Sequence, residues 1–198
     1  MDAGEGREVV RRRMRAAIGL LALCTLTPAP VLAGDAPSAA MPRDAAHFRD
    51  IMLAAHNGER AARGVPKLAW SDELAADAAQ SATRLAQEPD PIAAHHKSGG
   101  AGHYGENLWA GTRDAYAYEE MAESWLEERA LYLDAPVPDI SRSGNWADVG
   151  HYSQIIWAGT RRVGCALHPT ATLDVLVCRY DPAGNVYGHR ASVDYAGR

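Results

Sequence analysis

The chain has 198 residues, which is enough to bury a substantial hydrophobic core in one domain but short for two. Its 20 basic and 25 acidic residues give a formal net charge of −5. After residue 33 the chain is acidic and has no cluster of Lys and Arg, which argues against a nucleic acid as partner.

Residues 1–33 have the pattern of an export signal. Residues 11–15 are basic, and residues 16–26 form an apolar run that is too short to span a bilayer stably. Ala33 supplies the small side chain that a signal-peptide cleavage site requires. We therefore predict a signal peptide over residues 1–33 and a secreted or periplasmic mature protein.

Cleavage after Ala33 removes five arginines and three acidic residues, so that 15 basic and 22 acidic residues remain and the net charge becomes −7. The alternatives to an export signal are a membrane anchor and a translation start at Met14 instead of Met1. No other stretch of the sequence is apolar enough to cross a membrane. The mature chain is expected to have no stable membrane span.

The first predicted helix follows a short leader. Residues 34–43 are rich in Ala, Pro and Ser, and this composition predicts a disordered leader. Residues 44–62 place their apolar side chains on one face at helical spacing, and Gly64 and Pro66 end the helix.

Further elements follow in chain order. Ser71 is a candidate N-cap for a second helix, and residues 88–104 are predicted to form a loop. A third helix is expected over residues 114–133, then a loop over 134–145 and a short helix over 149–157. Helices on both sides of a few strands predict an α+β layered sandwich.

Two neighbouring strands are expected near the end of the core, over residues 163–167 and 173–180. Each carries one of the two cysteines that remain after cleavage, Cys165 and Cys178. An even number of cysteines in an exported protein predicts a disulfide, here across a hairpin. The alternative is a pair of buried free thiols.

The third predicted helix contains one acidic residue in an unexpected place. Glu128 lies three residues after Trp125 and seven after Met121, which puts it on the apolar stripe of the helix. A buried carboxylate needs a partner, because burying it alone costs several kcal/mol. The alternatives are a rim position in solvent or an ion pair with Arg60 or Arg129.

Four segments of the sequence carry unusual motifs: residues 56–60, 105–108, 150–157 and 176–185. Taken together, they resemble the CAP superfamily, which comprises cysteine-rich secretory proteins, wasp-venom antigen 5 and plant pathogenesis-related class 1 proteins. The resemblance covers roughly residues 44 to 190, and it implies a CAP (SCP) domain over residues 44–198 with a three-layer α-β-α sandwich. One disulfide and no cysteine-rich tail indicate a single-domain type from a bacterium.

The resemblance also implies a cleft with two histidines and two glutamates. Glu128 matches one acidic position, Glu106 matches the other, and His151 matches one histidine. The second histidine precedes Gly105 in the family pattern. His103 is too close to Glu106 to match well, and the choice between His95 and His96 stays open.

Such a cluster has more than one chemical use. Neutral imidazoles bind zinc or another divalent metal, and carboxylates act as further ligands or orient the rings. His95, His96 and His151 are the candidate metal ligands. The alternative is a polar cluster that only holds two layers together, and no obligatory metal is expected.

A hydrolase is a second hypothesis for the same cluster, with Glu106 and Glu128 as acid and base. Ser153 is close to His151 in sequence, but no nucleophile-elbow or oxyanion motif accompanies it. We expect Ser153 to hydrogen bond to the backbone of its short helix.

Other motif residues favour a structural role. His56, Asn57 and Arg60 are expected to form a buried polar clamp on the first helix, and Trp157 is expected in the core. Three loop aromatics either line a cleft or cover the core: Tyr104, Trp109 and Trp146.

The favoured function is therefore binding by a secreted protein. The resemblance implies a small apolar ligand such as a sterol or fatty acid, a divalent metal, or an extracellular protein or cell-surface partner. The alternatives are a protease-like hydrolase and a non-catalytic extracellular interaction module, so the sequence leaves open whether the protein is an enzyme.

Overall fold

The computed structural model describes residues 44–98 and 103–195. The predicted signal peptide and leader, residues 1–43, lie outside the described residues. Five α-helices and four β-strands form the described part: α1 (Ala45–Ala62), β1 (Ala69–Trp70), α2 (Asp72–Leu85), α3 (Pro91–Ser98), β2 (Gly105–Thr112), α4 (Tyr118–Leu126), α5 (Gly150–Ile155), β3 (Arg162–Pro169) and β4 (Leu173–Asp181).

The strands form one mixed sheet in the order β1-β3-β4-β2. Strand β4 pairs antiparallel with both β3 and β2, while the short β1 runs parallel to β3. Strand β2 therefore lies at one edge of the sheet. This position lets side chains from both faces of the sheet approach β2.

Helices cover both faces of this sheet, which confirms the three-layer α-β-α sandwich. The larger core cluster includes Met52 of α1, Trp125 of α4 and Cys178 of β4. A second cluster lies between α2 and the opposite face, with Leu85 and Val177 among its members. No helix within the described ranges is both long and apolar enough to cross a membrane.

Helix α2 approaches the sheet unusually closely at Gly164 of β3. A Cβ atom at that position would lie 2.3 Å from the Ala75 nitrogen and 2.4 Å from the Ser71 oxygen. Since real Cβ atoms do not come this close to backbone atoms, only glycine fits here.

The first two helices begin and end close to the predicted positions. The Asp44 carboxylate caps α1 by accepting hydrogen bonds from the backbone of Ala46 and His47. Ser71 caps α2 through a bond from the Leu74 nitrogen, as expected. Strand β2, by contrast, was not identified from the sequence.

Two predicted boundaries are wrong. The expected loop over residues 88–104 contains helix α3, which Asp90 caps by accepting from the Ala93 nitrogen. The expected helix over residues 114–133 is shorter. It starts only at Tyr118, because Asp114 has a positive φ of 58°, and it gives way to a 3₁₀ helix at Glu127–Ala130.

The two cysteines form the predicted disulfide. Cys165 and Cys178 are directly paired residues of β3 and β4, with Cα atoms 4.0 Å apart. Both are buried, so that the bond lies inside the larger core cluster. The alternative of two free thiols is wrong.

Arg60 confirms the buried clamp on α1. Its guanidinium group is fully buried and donates hydrogen bonds to the backbone oxygens of four residues. These acceptors are Pro66 at 2.6 Å, Ile155 at 2.8 Å, Trp157 at 2.9 Å and Thr160 at 3.0 Å. Burial lowers the pKa of Arg60 to about 10, and the positive charge of Arg161 adds to the shift. Even so, the side chain stays protonated at neutral pH.

Replacing Arg60 with Met should lower the free energy of unfolding by about 3 kcal/mol, because several buried carbonyls lose their donor. Urea denaturation measures this change. Arg49→Met on the same helix is the matched control, since the Arg49 side chain is about half exposed, and it should change stability by less than about 0.5 kcal/mol. Equal effects of the two substitutions would contradict the assigned role of Arg60.

Candidate functional site

Glu128 and His151 form the first of two His–Glu pairs. The His151 Nδ1 atom lies 2.6 Å from Glu128 Oε1, and the backbone nitrogen of Tyr152 donates to Glu128 Oε2 at 2.9 Å. The His151 ring also stacks on Trp125, with ring centroids 5.9 Å apart. Glu128 therefore has two hydrogen-bond donors of α5 as partners rather than Arg60 or Arg129.

His95 and Glu106 form the second pair. The His95 Nδ1 atom lies 2.7 Å from Glu106 Oε1. The other carboxylate oxygen accepts a hydrogen bond from Ser81 Oγ at 2.7 Å and lies 2.9 Å from Arg179 Nη1. Arg179 in turn forms an ion pair with Asp77 of α2.

The environment of Glu106 keeps it ionised. Its side chain is only 2% exposed, and this burial alone would raise its pKa. The hydrogen bonds from His95 and Ser81 and the charge of Arg179 outweigh the burial, so that the pKa falls below its usual value.

The two carboxylates determine the tautomer of His95 and His151. A carboxylate accepts hydrogen bonds, so Nδ1 of each ring carries the hydrogen and a neutral ring has its lone pair on Nε2. The side chains remain partly accessible, 14% for His95 and 29% for His151.

The edge strand β2 links the two pairs. Glu106 belongs to β2, and the next residue, Asn107, donates its side-chain amide to the backbone oxygen of His151 at 3.1 Å. Successive side chains of a strand point to opposite faces of the sheet. One His–Glu pair therefore approaches β2 from the side of α2 and α3, and the other approaches it from the side of α4 and α5.

Behind His151 lies a buried polar chain. Asn107 Nδ2 also donates to the Tyr180 hydroxyl at 3.0 Å, which lies 2.7 Å from His56 Nε2. The His56 Nδ1 atom lies 2.7 Å from the Met52 carbonyl oxygen. Burial lowers the pKa of His56 to about 4, although the bond to Met52 opposes the shift, so this histidine is neutral at pH 7.

The structure distinguishes the histidines that the sequence left open. His95 contacts Glu106, whereas the neighbouring His96 is exposed, with its ring 5.7 Å from that of His95. The geometry therefore pairs His95, not His96, with Glu106. Whether these side chains act as one functional site stays a prediction.

The expectation for Ser153 is wrong. Its Oγ atom is buried, and no hydrogen-bond partner for it occurs among the described residues. The backbone oxygen of Gly150, one turn earlier, already accepts a bond from Asn185 Nδ2. With His151 Nδ1 directed to Glu128, no Ser–His pair supports the hydrolase hypothesis.

Sequence reasoning did not assign the residues that hold Glu106 and the backbone of His151. Ser81, Asn107 and Arg179 come from three different elements, and no spacing in the sequence relates them. Asn107 and Arg179 lie in two of the segments that carry the family resemblance, and burial offered a signal for Ser81. A polar side chain on the inner face of α2, such as Ser81, requires a buried partner.

The two pairs supply imidazole and carboxylate groups, which are ligand types that divalent metals bind. No group of three or more His, Cys, Asp and Glu side chains in the described residues has the arrangement of a metal site. Two imidazoles oriented by carboxylates at Nδ1 nevertheless match the usual outer shell of a histidine-bound ion.

The chain is similar to known proteins over most of its length. The model of the cysteine-rich secretory protein family (CAP) matches residues 53–180. Pathogenesis-related protein 1C of Nicotiana tabacum is 36% identical over 137 residues, which cover 69% of this chain and 76% of the tobacco protein. "Repressed by EFG1 protein 1" of Candida albicans is 34% identical over 153 residues, covering 76% and 52% of the two chains.

Solved structures share the fold. The crystal structure of NaASP2 with Zn²⁺ superposes with a TM-score of 0.59 and 20% identity, and the match covers 73% of this chain and 84% of NaASP2. The relatives named above come from a plant and a fungus and give no support to a bacterial source, which stays a prediction.

Acid should destabilise the protein through His56. Its pKa is about 4 in the folded protein against an ordinary 6.5, so the unfolded chain takes up the proton first as pH falls. This contribution to stability is complete above pH 6.5, and about 3 kcal/mol of it is lost as pH falls to about 4. Urea denaturation of the wild type and of His56→Gln at several pH values tests this.

The pH dependence between 6.5 and 4 should be shallower in His56→Gln than in the wild type. His47→Gln is the matched control, because His47 is exposed on the same helix, and it should keep the wild-type slope. Identical slopes for His56→Gln and the wild type would show that His56 does not titrate in this way.

Proposed function

Since this chain belongs to the cysteine-rich secretory protein (CAP) family, we propose that it binds a divalent transition-metal ion, zinc in particular, through His95 and His151. One observation carries the proposal. In each pair a carboxylate, itself held by further hydrogen bonds, fixes the ring through Nδ1 and assigns the lone pair to Nε2.

The charges of the two pairs suit a cation. Glu106 stays ionised, and Glu128 accepts from a backbone nitrogen and a ring nitrogen, as an ionised carboxylate does. A carboxylate hydrogen bonded to a ligating histidine makes the imidazole a stronger donor to the metal. When bound to two imidazoles, the ion offers its other positions to water or to groups of a ligand.

A protein of the same fold, NaASP2, has been crystallised with Zn²⁺. At 20% identity this likeness concerns the fold, and zinc binding by the present chain is our proposal. We also propose that the protein acts outside the cytoplasm. The amino-terminal sequence supports export, and a buried disulfide suits an oxidising compartment.

A second proposal concerns an apolar ligand in a different part of the domain. A groove of about 790 Å³ lies between the start of α1, the start of α2 and the outer end of β3. Phe48, Trp70, Tyr118 and Leu167 supply much of its apolar lining, and Arg49 stands at the same groove. Arg49 lies 3.9 Å from Asp72, which also lines the groove, so the groove carries both charges and its apolar wall is the part that suits an acyl chain or a sterol.

Zinc titration followed by calorimetry tests the first proposal. His151→Ala and His95→Ala should each weaken zinc binding by at least about tenfold, because each removes one of the two ligands. His96→Ala is the matched control at a neighbouring exposed position, and it should bind zinc like the wild type. An unchanged affinity in His151→Ala would refute the proposed site.

Fluorescent fatty-acid binding tests the second proposal. Leu167→Glu places a charge inside the groove and should weaken binding by at least about tenfold, since a buried charge opposes an acyl chain. Leu131→Glu makes the same change at an exposed position outside the groove and should leave the affinity unchanged. Equal binding by the wild type and Leu167→Glu would place the ligand elsewhere.

A further inference from the structure

The buried polar chain behind His151 has only one consistent direction. The Met52 carbonyl can only accept, so the hydrogen of His56 lies on Nδ1 and its Nε2 is an acceptor. Tyr180 must then donate its hydroxyl hydrogen to His56 Nε2, and its oxygen accepts from Asn107. The other amide hydrogen of Asn107 points to the backbone oxygen of His151.

Burial makes this direction obligatory. His56 and Asn107 are 1% exposed and Tyr180 is fully buried, so bulk water cannot replace a lost partner. His56 remains neutral because its pKa is about 4, and a neutral ring keeps its acceptor at physiological pH. Each residue of the hydrogen-bond chain therefore determines which hydrogen the next residue donates.

The residue at which this hydrogen-bond chain ends, His151, indicates the role of the chain. His151 is held at three points: its ring stacks on Trp125, its Nδ1 bonds Glu128, and its backbone oxygen accepts from Asn107. The buried chain thus ends on the backbone of a histidine whose ring is partly exposed.

We infer that Tyr180 and Asn107 are positioning residues, which keep His151 in the orientation that leaves Nε2 for a metal ion. The inference rests on the proposed metal site for its purpose, but the geometry it describes exists in the metal-free protein. Neither residue contacts the metal itself in this arrangement.

Tyr180→Phe tests the inference because it removes one oxygen and keeps the ring. Long-range ¹H–¹⁵N NMR of the metal-free protein reports the tautomer of His151. The wild type should show the hydrogen on Nδ1, where Glu128 accepts it. In Tyr180→Phe the Asn107 amide loses a partner and holds the His151 backbone less firmly, which should weaken the bond from Nδ1 to Glu128 and shift the population toward Nε2–H, the form that histidine prefers in water. Zinc affinity should fall about tenfold, as expected for loss of an outer partner.

Two further variants make the result specific. Tyr132→Phe removes a hydroxyl from another buried tyrosine, whose partner is Asp134, and should change neither the tautomer nor the zinc affinity. Asn107→Leu removes both amide donors at similar volume and should exceed the effect of Tyr180→Phe.

The outcomes distinguish failure of the positioning role from failure of the proposed zinc binding. A wild-type tautomer in both Tyr180→Phe and Asn107→Leu overturns the positioning role, even if zinc binds. If the wild type binds no zinc, the proposed function fails, while the tautomer measurement still decides the positioning role. A comparable change of tautomer in Tyr132→Phe would assign the effect to general loosening of the core and overturn the inference.

Discussion

The arrangement of this domain depends on a guanidinium group that lies entirely inside it. Arg60 extends from α1 and donates to the backbone just after helix α5 and before β3. Because α5 has only six residues, its own hydrogen bonds cannot fix its position. Arg60 holds the carboxyl end of α5, and Asn107 holds its beginning at His151. The position of the partly exposed His151 ring therefore depends on contacts at both ends of this helix.

The two His–Glu pairs come from different helical layers, on the two sides of strand β2. Glu106 depends on α2 through Ser81, whereas Glu128 depends on α5 through its bonds to His151 and Tyr152. An ion or ligand that contacted both histidines would thus join the two helical layers across β2. Binding at this edge would stabilise the domain as a whole, because the unfolded chain lacks such a site.

The sequence predicted those features that repeat along one element. Helical spacing located α1 and α2. It also singled out Glu128, but this residue is half-buried in the 3₁₀ helix after α4 and does not lie on the apolar stripe of α4. The resemblance to a family supplied Glu106 and His151. The choice of His95 over His96 depended on helix α3, whose start is set locally by the capping carboxylate of Asp90.

Other features could not be predicted from a pattern along the sequence. Strand β2 carries polar residues on both faces, Glu106 on one and Asn107 on the other, so it lacks the alternation that marks a half-buried strand. The buried chain through Tyr180 joins residues up to 124 positions apart. Only the folded sheet brings them together, and tertiary contacts rather than local preferences decide which polar groups are paired.

Gly164 sets the thickness of the molecule on the α2 side. With no side chain between them, the backbone of α2 rests directly on β3. The methyl group of an alanine at position 164 would push α2 away from β3, and Ser81 and Asp77 would move outward with the helix. The position of the polar groups around Glu106 therefore depends on the missing side chain of Gly164, a residue of another strand that has no chemistry of its own.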